Sequence, residues 1–219
     1  QIFGSADGTL DMNSSTITVM NGGDVQPVIT GAAPTIESSS GAPNLVGFYG
    51  AVTFTGAATI SCSRVGGAWT PGTSTVTFSD RSKKSTFTGT LYNLIINGSG
   101  LEYTIDQDVT ITNDLTVTAG TFDTSDGAGT DYDLTVTGNT IVGDGSAAAD
   151  TATLTLNDST CNFNTDATAE WALHIKQGGT LASHSGAVSI GSLTTDNHAD
   201  CKVTMSSYRT YIQGENDNE

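Results

Sequence analysis

Four aspartates, Asp123, Asp126, Asp131 and Asp133, crowd around the bend Asp126-Gly127-Ala128-Gly129. Carboxylate oxygens gathered on a glycine-rich turn are the ligand type Ca²⁺ takes, so these four are the candidate metal residues. Their spacing follows neither the EF-hand loop nor the glycine-rich nonapeptide that binds Ca²⁺ in β-rolls. The competing account is a set of solvated turn carboxylates that keep a polar chain soluble. Asp106, Asp108 and Asp114 make a thinner version of the same group. Ca²⁺ is the one cofactor the sequence raises.

The three histidines, His174, His184 and His198, stand apart from one another in the sequence. Zinc binding or general-base work would need two of them together beside a carboxylate. His184 and His198 lie in Ser/Gly- and Asp/Asn-rich loops, and His174 takes the outward middle slot of an apolar triplet. Exposed or locally bonded imidazoles are expected. A glycosidase needs two carboxylates about 5–9 Å apart. Asp114 and Asp133 each precede the Leu of a triplet, so they are expected to stack on one corner, with Asn93 continuing the column. The column lapses at Thr153 and Ala172, and an Asn/Asp ladder that caps turns explains it without catalysis. A lyase would also want a positioned basic residue, and the chain has 7 Lys+Arg. No catalytic residue is assigned, and the chain is expected not to be an enzyme. Trp69, Trp171, Tyr92, Tyr103, Tyr132 and Tyr208 are either stacking platforms for sugar rings or packing residues. Cys62, Cys161 and Cys201 include no CxxC pair. A Cys161–Cys201 disulfide competes with buried thiols acting as small hydrophobes.

The elements that would position these groups are strands. Val76-Thr77-Phe78, Leu94-Ile95-Ile96, Leu115-Thr116-Val117, Leu134-Thr135-Val136, Leu154-Thr155-Leu156 and Leu173-His174-Ile175 recur at a steady pitch. Alternation with period two puts the first and third members on one apolar face. Leu94, Ile96, Leu115, Val117, Leu134, Val136, Leu154 and Leu156 should therefore form one continuous apolar stack. A pitch of about 20 residues that survives six copies marks a solenoid. Asn-Gly and Asp-Gly pairs at Asn21, Asn97, Asp126 and Asp144 supply corners that tolerate left-handed backbone. The expected fold is all-β, a parallel β-helix (β-solenoid) with rungs of about 20 residues. About 11 rungs would span roughly 50 Å at the strand spacing. An antiparallel jelly roll or sandwich is the alternative, since its strands also recur at short intervals. Pro27, Pro34 and Pro43 interrupt the first third. The expected organisation is an irregular cap or assembly segment over 1–50, a solenoid over 51–210 and a polar acidic tail over 211–219. Ile2-Phe3 and the Ile17–Met20 strand are the candidates for contacting another chain.

Composition narrows the classes. Hydrophobic residues are 36% of 219 and charged residues 14%, below the usual ~25%. About one residue in six is Thr. Against 7 Lys+Arg stand 23 Asp+Glu, a net charge of −16 that repels phosphate backbones and anionic bilayers. No apolar run approaches the ~20 residues of a membrane-spanning helix. Nucleic acid and membrane insertion are not expected among the partners. With Gln1 in place of Met, a processed product or a fragment is expected.

Leu91-Tyr92-Asn93-Leu94-Ile95-Ile96-Asn97 and the run from Asp108-Val109-Thr110 to Ala119-Gly120-Thr121-Phe122 carry a resemblance. They resemble the Thr/Gly-rich repeats of bacterial surface adhesins and phage tail-fibre proteins, over residues 75–195. The resemblance implies a parallel β-helix used as a passive rod, spacer or receptor-contacting surface. The expected function is a non-enzymatic structural or adhesive component of an extracellular fibre, cell surface or virion. Its expected partners are copies of itself, other structural subunits or a glycan receptor. The alternative is a carbohydrate-binding or tailspike-like receptor-recognition module.

Overall fold

The computed structural model describes residues 71–78, 90–146, 151–165, 171–205 and 210–212, together with the backbone of further short strands from Thr9–Asp11 to Gly89–Leu91. Among the described residues the fold is all-β, with no helix, and every strand pairing is parallel. The one antiparallel contact among them is an isolated bridge between Ser125 and Asp131. Parallel pairing excludes the antiparallel sandwich.

Most of the described strands stack in three ladders, and Thr9–Asp11 with Val28–Thr30, Gly47–Phe48 with Arg64–Val65, and Val52–Thr53 with Trp69–Thr70 form separate two-stranded pairs. The first ladder runs through Thr16–Val19, Thr35–Ser38, Thr59–Ser61, Thr75–Phe78, the starts of Asn93–Thr104 and Leu115–Asp123, then Thr140–Val142, Leu173–Ile175 and Leu193–Thr195. The second holds Gly89–Leu91, Val109–Ile111, Leu134–Val136, Cys161–Phe163, Val188–Ile190 and Thr210–Ile212. The third holds the ends of Asn93–Thr104 and Leu115–Asp123, then Ala152–Asn157, Gly179–Ser183 and Lys202–Thr204. Those two long strands bend through a corner and belong to both the first and third ladders, which together form one curled 12-stranded sheet. From Asn93 onward the chain visits the first, third and second ladders in that order, again and again.

Alternation holds in all three ladders. Strands such as Ala152–Asn157 bury every second residue, and the buried residues meet in one apolar core. Tyr103, Phe78, Phe122 and Phe163 are its largest members. Leu94, Ile96, Leu115, Val117, Leu134, Val136, Leu154 and Leu156 are all buried in it. They do not form one stack. Leu115 pairs with Leu94, but Leu134 pairs with Val109 and Cys161, and Leu154 pairs with Phe122 and Leu181.

The steady pitch of the triplets therefore has two meanings. From Val76 to Leu94 to Leu115 it is the distance between direct neighbours on the first ladder. From Leu115 to Leu134, Leu154 and Leu173 it carries the chain from the first ladder to the second, the third and back to the first. Direct neighbours in that stretch lie further apart along the chain: Leu115 pairs with Thr140, and Thr140 with Leu173. Corner loops such as the one after Asp123 take up the extra length. Among the described residues the first ladder is nine strands deep. At ~4.8 Å per step it spans about 38 Å.

Thr16–Val19 and Thr35–Ser38, from the proline-punctuated first third, lead that same 12-stranded sheet. Ile2-Phe3 and residues 213–219 lie outside the described residues, as does Cys62.

Candidate binding surface around Trp171

Corner carboxylates serve the backbone. A strand entering a ladder presents an N–H that needs an acceptor. Asp108 Oδ1 accepts from the Asp133 N–H at 3.0 Å, and Asp133 Oδ1 accepts from the Thr160 N–H at 2.8 Å. On the first ladder Asn93 Oδ1 accepts from the Asp114 N–H, and Asp114 Oδ1 accepts from the Asn139 N–H at 2.9 Å. Asp114 and Asp133 therefore stand in different corner columns and do not stack. The carboxylate pair that a glycosidase would use is not assembled there.

The acidic bend is likewise bonded to itself. Asp123 Oδ1 accepts from the Ser125 N–H at 2.7 Å and from Asn157 Nδ2 at 2.6 Å. Asp126 Oδ1 accepts from the N–H groups of Ala128 and Thr130. Burial raises the Asp131 carboxyl above its usual range, helped by the charges of Asp158, Asp123 and Asp126. Asp158 enters this group from the next turn of the chain and was not visible in the sequence. Among the described residues no three His, Cys, Asp or Glu side chains are placed to hold a metal ion.

Cys161 and Cys201 are free thiols, so of the two competing accounts the disulfide does not form. Cys161 lies in the inward column of the second ladder, where burial pushes its thiol up to about 12. An unionised thiol is a packing group, not a nucleophile.

All three histidines meet an aspartate. His184 Nδ1 lies 3.3 Å from Asp158, which also accepts hydrogen bonds from the Ser185 N–H and hydroxyl. His198 Nδ1 lies 3.4 Å from Asp200. Both pairs are exposed. The third differs: His174 sits outward on its strand, as expected, yet is only 8% exposed. Trp171 packs edge-on against its ring, with centroids 5.5 Å apart. His174 Nε2 meets Asp196 Oδ1 at 2.8 Å, and Asp196 Oδ2 accepts from the Gln177 N–H at 3.0 Å. That backbone N–H, with His174 second, holds the Asp196 carboxyl below its usual range. A strand-to-turn clasp thus ties Leu173–Ile175 to the residue that follows Leu193–Thr195.

Above the clasp Trp171 is 47% exposed. Next to His174 on the first ladder stands Ile141, half-buried and also outward. The equivalent outward positions of the second ladder are polar at Thr90, Thr110, Thr135, Asn162 and Ser189, and aromatic at Tyr211, which is 50% exposed. Of the other aromatic candidates, Tyr103 is core, Tyr92 and Tyr132 are half-buried, and Tyr208 lies outside the described residues, as does the side chain of Trp69. Trp171 is thus the aromatic candidate with an open ring face, on a seat fixed by His174 and Asp196. The clasp was not legible in the sequence, because Asp196 reaches His174 only through the pairing of Leu173 with Leu193.

No family model, curated protein or solved structure matches the chain.

Proposed function

We propose that the chain is a parallel β-solenoid serving as a non-enzymatic structural or adhesive rod, part of an extracellular fibre, cell surface or virion. The three ladders are then the faces of one coil with an apolar axis, and the chain acts by assembling with other subunits and by surface contact. The observation that carries this is the use made of the polar side chains. Corner Asp and Asn residues are spent on backbone N–H groups of the next layer, and Thr118, Thr112 and Thr137 donate their hydroxyls to carbonyls of the layer before. Such side chains stiffen a stack and are not free for chemistry. Small-angle scattering tests the shape. An elongated particle with a flat-topped pair-distance distribution is expected, and a compact sphere would overturn the rod.

A second reading, a carbohydrate-contacting module, rests on Trp171. An exposed indole braced from below offers a flat apolar face of the kind on which a sugar ring stacks. Glycan-array binding that is lost in Trp171→Ala, with the melting temperature kept, is the expected result. Equal binding by both proteins, or none by either, would remove this reading.

A further inference from the structure

In a chain with 7 Lys+Arg against 23 Asp+Glu, a cation without an acidic partner stands out. Lys176 is one. Its N–H donates to the Val142 carbonyl at 2.8 Å, which fixes its backbone on the first ladder. Ile175 before it is fully buried, and Lys176 takes the next outward position after His174, half-buried. Its charge helps hold the Asp196 carboxyl down, yet among the described residues its ammonium group has no ion pair and no hydrogen bond. Asp196 is occupied elsewhere, Oδ1 by His174 and Oδ2 by the Gln177 N–H. A half-buried ammonium gives up hydration, a cost that a partner would offset. Trp171 flanks the same strand, Leu173–Ile175, at its other end, within about 17 Å of extended chain from Lys176. Trp171 touches His174, His174 bonds Asp196 and Asp196 feels Lys176, so the four share one neighbourhood.

We infer that Trp171 and Lys176 bind an oligosaccharide with sparse carboxylates, one in which a uronic acid alternates with neutral sugars. The inference rests on the carbohydrate reading of Trp171 and adds the ligand class. The apolar face of one ring stacks on the exposed indole. A carboxylate further along the same oligosaccharide accepts a charge-assisted hydrogen bond from the Lys176 ammonium. Half-buried, outward Ile141 beside His174 adds apolar surface to the seat. Charge selects among glycans. A neutral one leaves the ammonium without a partner, and one bearing amines is repelled by it. A glycan charged on every ring meets the field of a chain with net charge −16, which one lysine does not offset. Isolated carboxylates use the cation and avoid most of that repulsion.

A cycle that removes the charge from the protein and from the ligand tests it. The probes are a hyaluronan hexasaccharide, in which glucuronate alternates with N-acetylglucosamine, and the same hexasaccharide with its carboxyl groups reduced to alcohols. In calorimetric titration the wild-type chain should bind the first, and reduction should weaken binding about tenfold or more, the scale of a hydrogen bond to a charged group. Lys176→Gln should lose a similar factor toward the unreduced probe and no longer distinguish the two, with an unchanged circular dichroism spectrum. Trp171→Ala should weaken both probes. Equal wild-type affinity for the two probes, still lost in Trp171→Ala, overturns the acidic class and leaves the carbohydrate reading standing. A preference for the unreduced probe that survives in Lys176→Gln overturns the role of Lys176. Tighter binding of a galacturonate hexamer, charged on every ring, overturns the preference for sparse charge. Binding of neither hyaluronan probe overturns the inference as a whole, and the glycan array then decides the carbohydrate reading by itself.

Discussion

At the residue scale, one property sorts the side chains: whether they face the apolar core, a corner or the outside. Leu134 faces the core from the second ladder, fully buried between Val109 and Cys161. Leu134→Ala should cost about 2–5 kcal/mol in urea unfolding, the range for a buried cavity. A loss under ~0.5 kcal/mol, typical of surface changes, would mean the register is wrong. Asp196 and Asp131 face corners and should respond to acid with opposite sign. Asp196 is held below its unfolded value by the Gln177 N–H and His174. It therefore stabilises the fold above the unfolded carboxylate range near ~3.9, and that contribution is lost as pH falls through its folded value. Asp131 is raised by burial and by its acidic neighbours. It favours folding below the unfolded range and opposes it as pH rises through the folded value. Asp196→Asn should lower the urea midpoint at pH 7, Asp131→Asn should raise it, and both differences should shrink at pH 3. Shifts of the same sign at pH 7 would contradict these environments.

At the element scale, two long strands make the corner that joins the first ladder to the third, and Gly120 is the hinge of Leu115–Asp123. Its φ is 83°, and a Cβ there would press into the carbonyl oxygens of Gly98 and Leu101. Gly120→Ala meets both a left-handed backbone and a closed space. The loss should exceed the roughly 1 kcal/mol that the backbone conformation alone costs an L-residue. Gly145→Ala is the comparison, since its φ is also 83° but nothing lies within 4 Å of the added Cβ. Equal losses at the two positions in thermal unfolding would show that the close approach contributes nothing. The strands and their inward faces were legible, because alternation such as Leu134-Thr135-Val136 is a local pattern. Which strand neighbours which was not. The step from Leu94 to Leu115 and the step from Leu115 to Leu134 look alike in the sequence, yet only the first joins direct neighbours. Corner length alone decides between a neighbour and a move to another ladder. The excursion over 124–131, pinned by the Asp126 N–H to the Thr130 carbonyl and the Tyr132 N–H to the Thr124 carbonyl, is what shifts the count. The same ambiguity paired Asp114 with Asp133 in the sequence and hid Asp196 from His174.

At the scale of the whole molecule, parallel stacking repeats the acidic corners at short range. Asp108 and Asp133 occupy neighbouring layers, and Asp123, Asp126, Asp131 and Asp158 crowd one side. With 7 Lys+Arg against 23 Asp+Glu, few of these charges meet a counter-charge. Folding brings like charges closer than they stand in the unfolded chain, so self-repulsion opposes the native state. Screening should relieve it, since the Debye length falls from about 30 Å at 0.01 M salt to about 8 Å at 0.15 M. The melting temperature should therefore rise with NaCl over that range, by about 2 °C or more if the relief reaches ~1 kcal/mol in a domain of this size. Adding millimolar CaCl₂ at constant ionic strength separates screening from a specific site. A further rise reversed by EDTA would mark ligation at Asp123, Asp126, Asp131 and Asp133, because a ligand bound only to the native state stabilises it by mass action. A midpoint that follows ionic strength alone assigns the effect to screening. A midpoint that falls with NaCl would mean that attractions between opposite charges outweigh the repulsion, since salt weakens exposed attractions too.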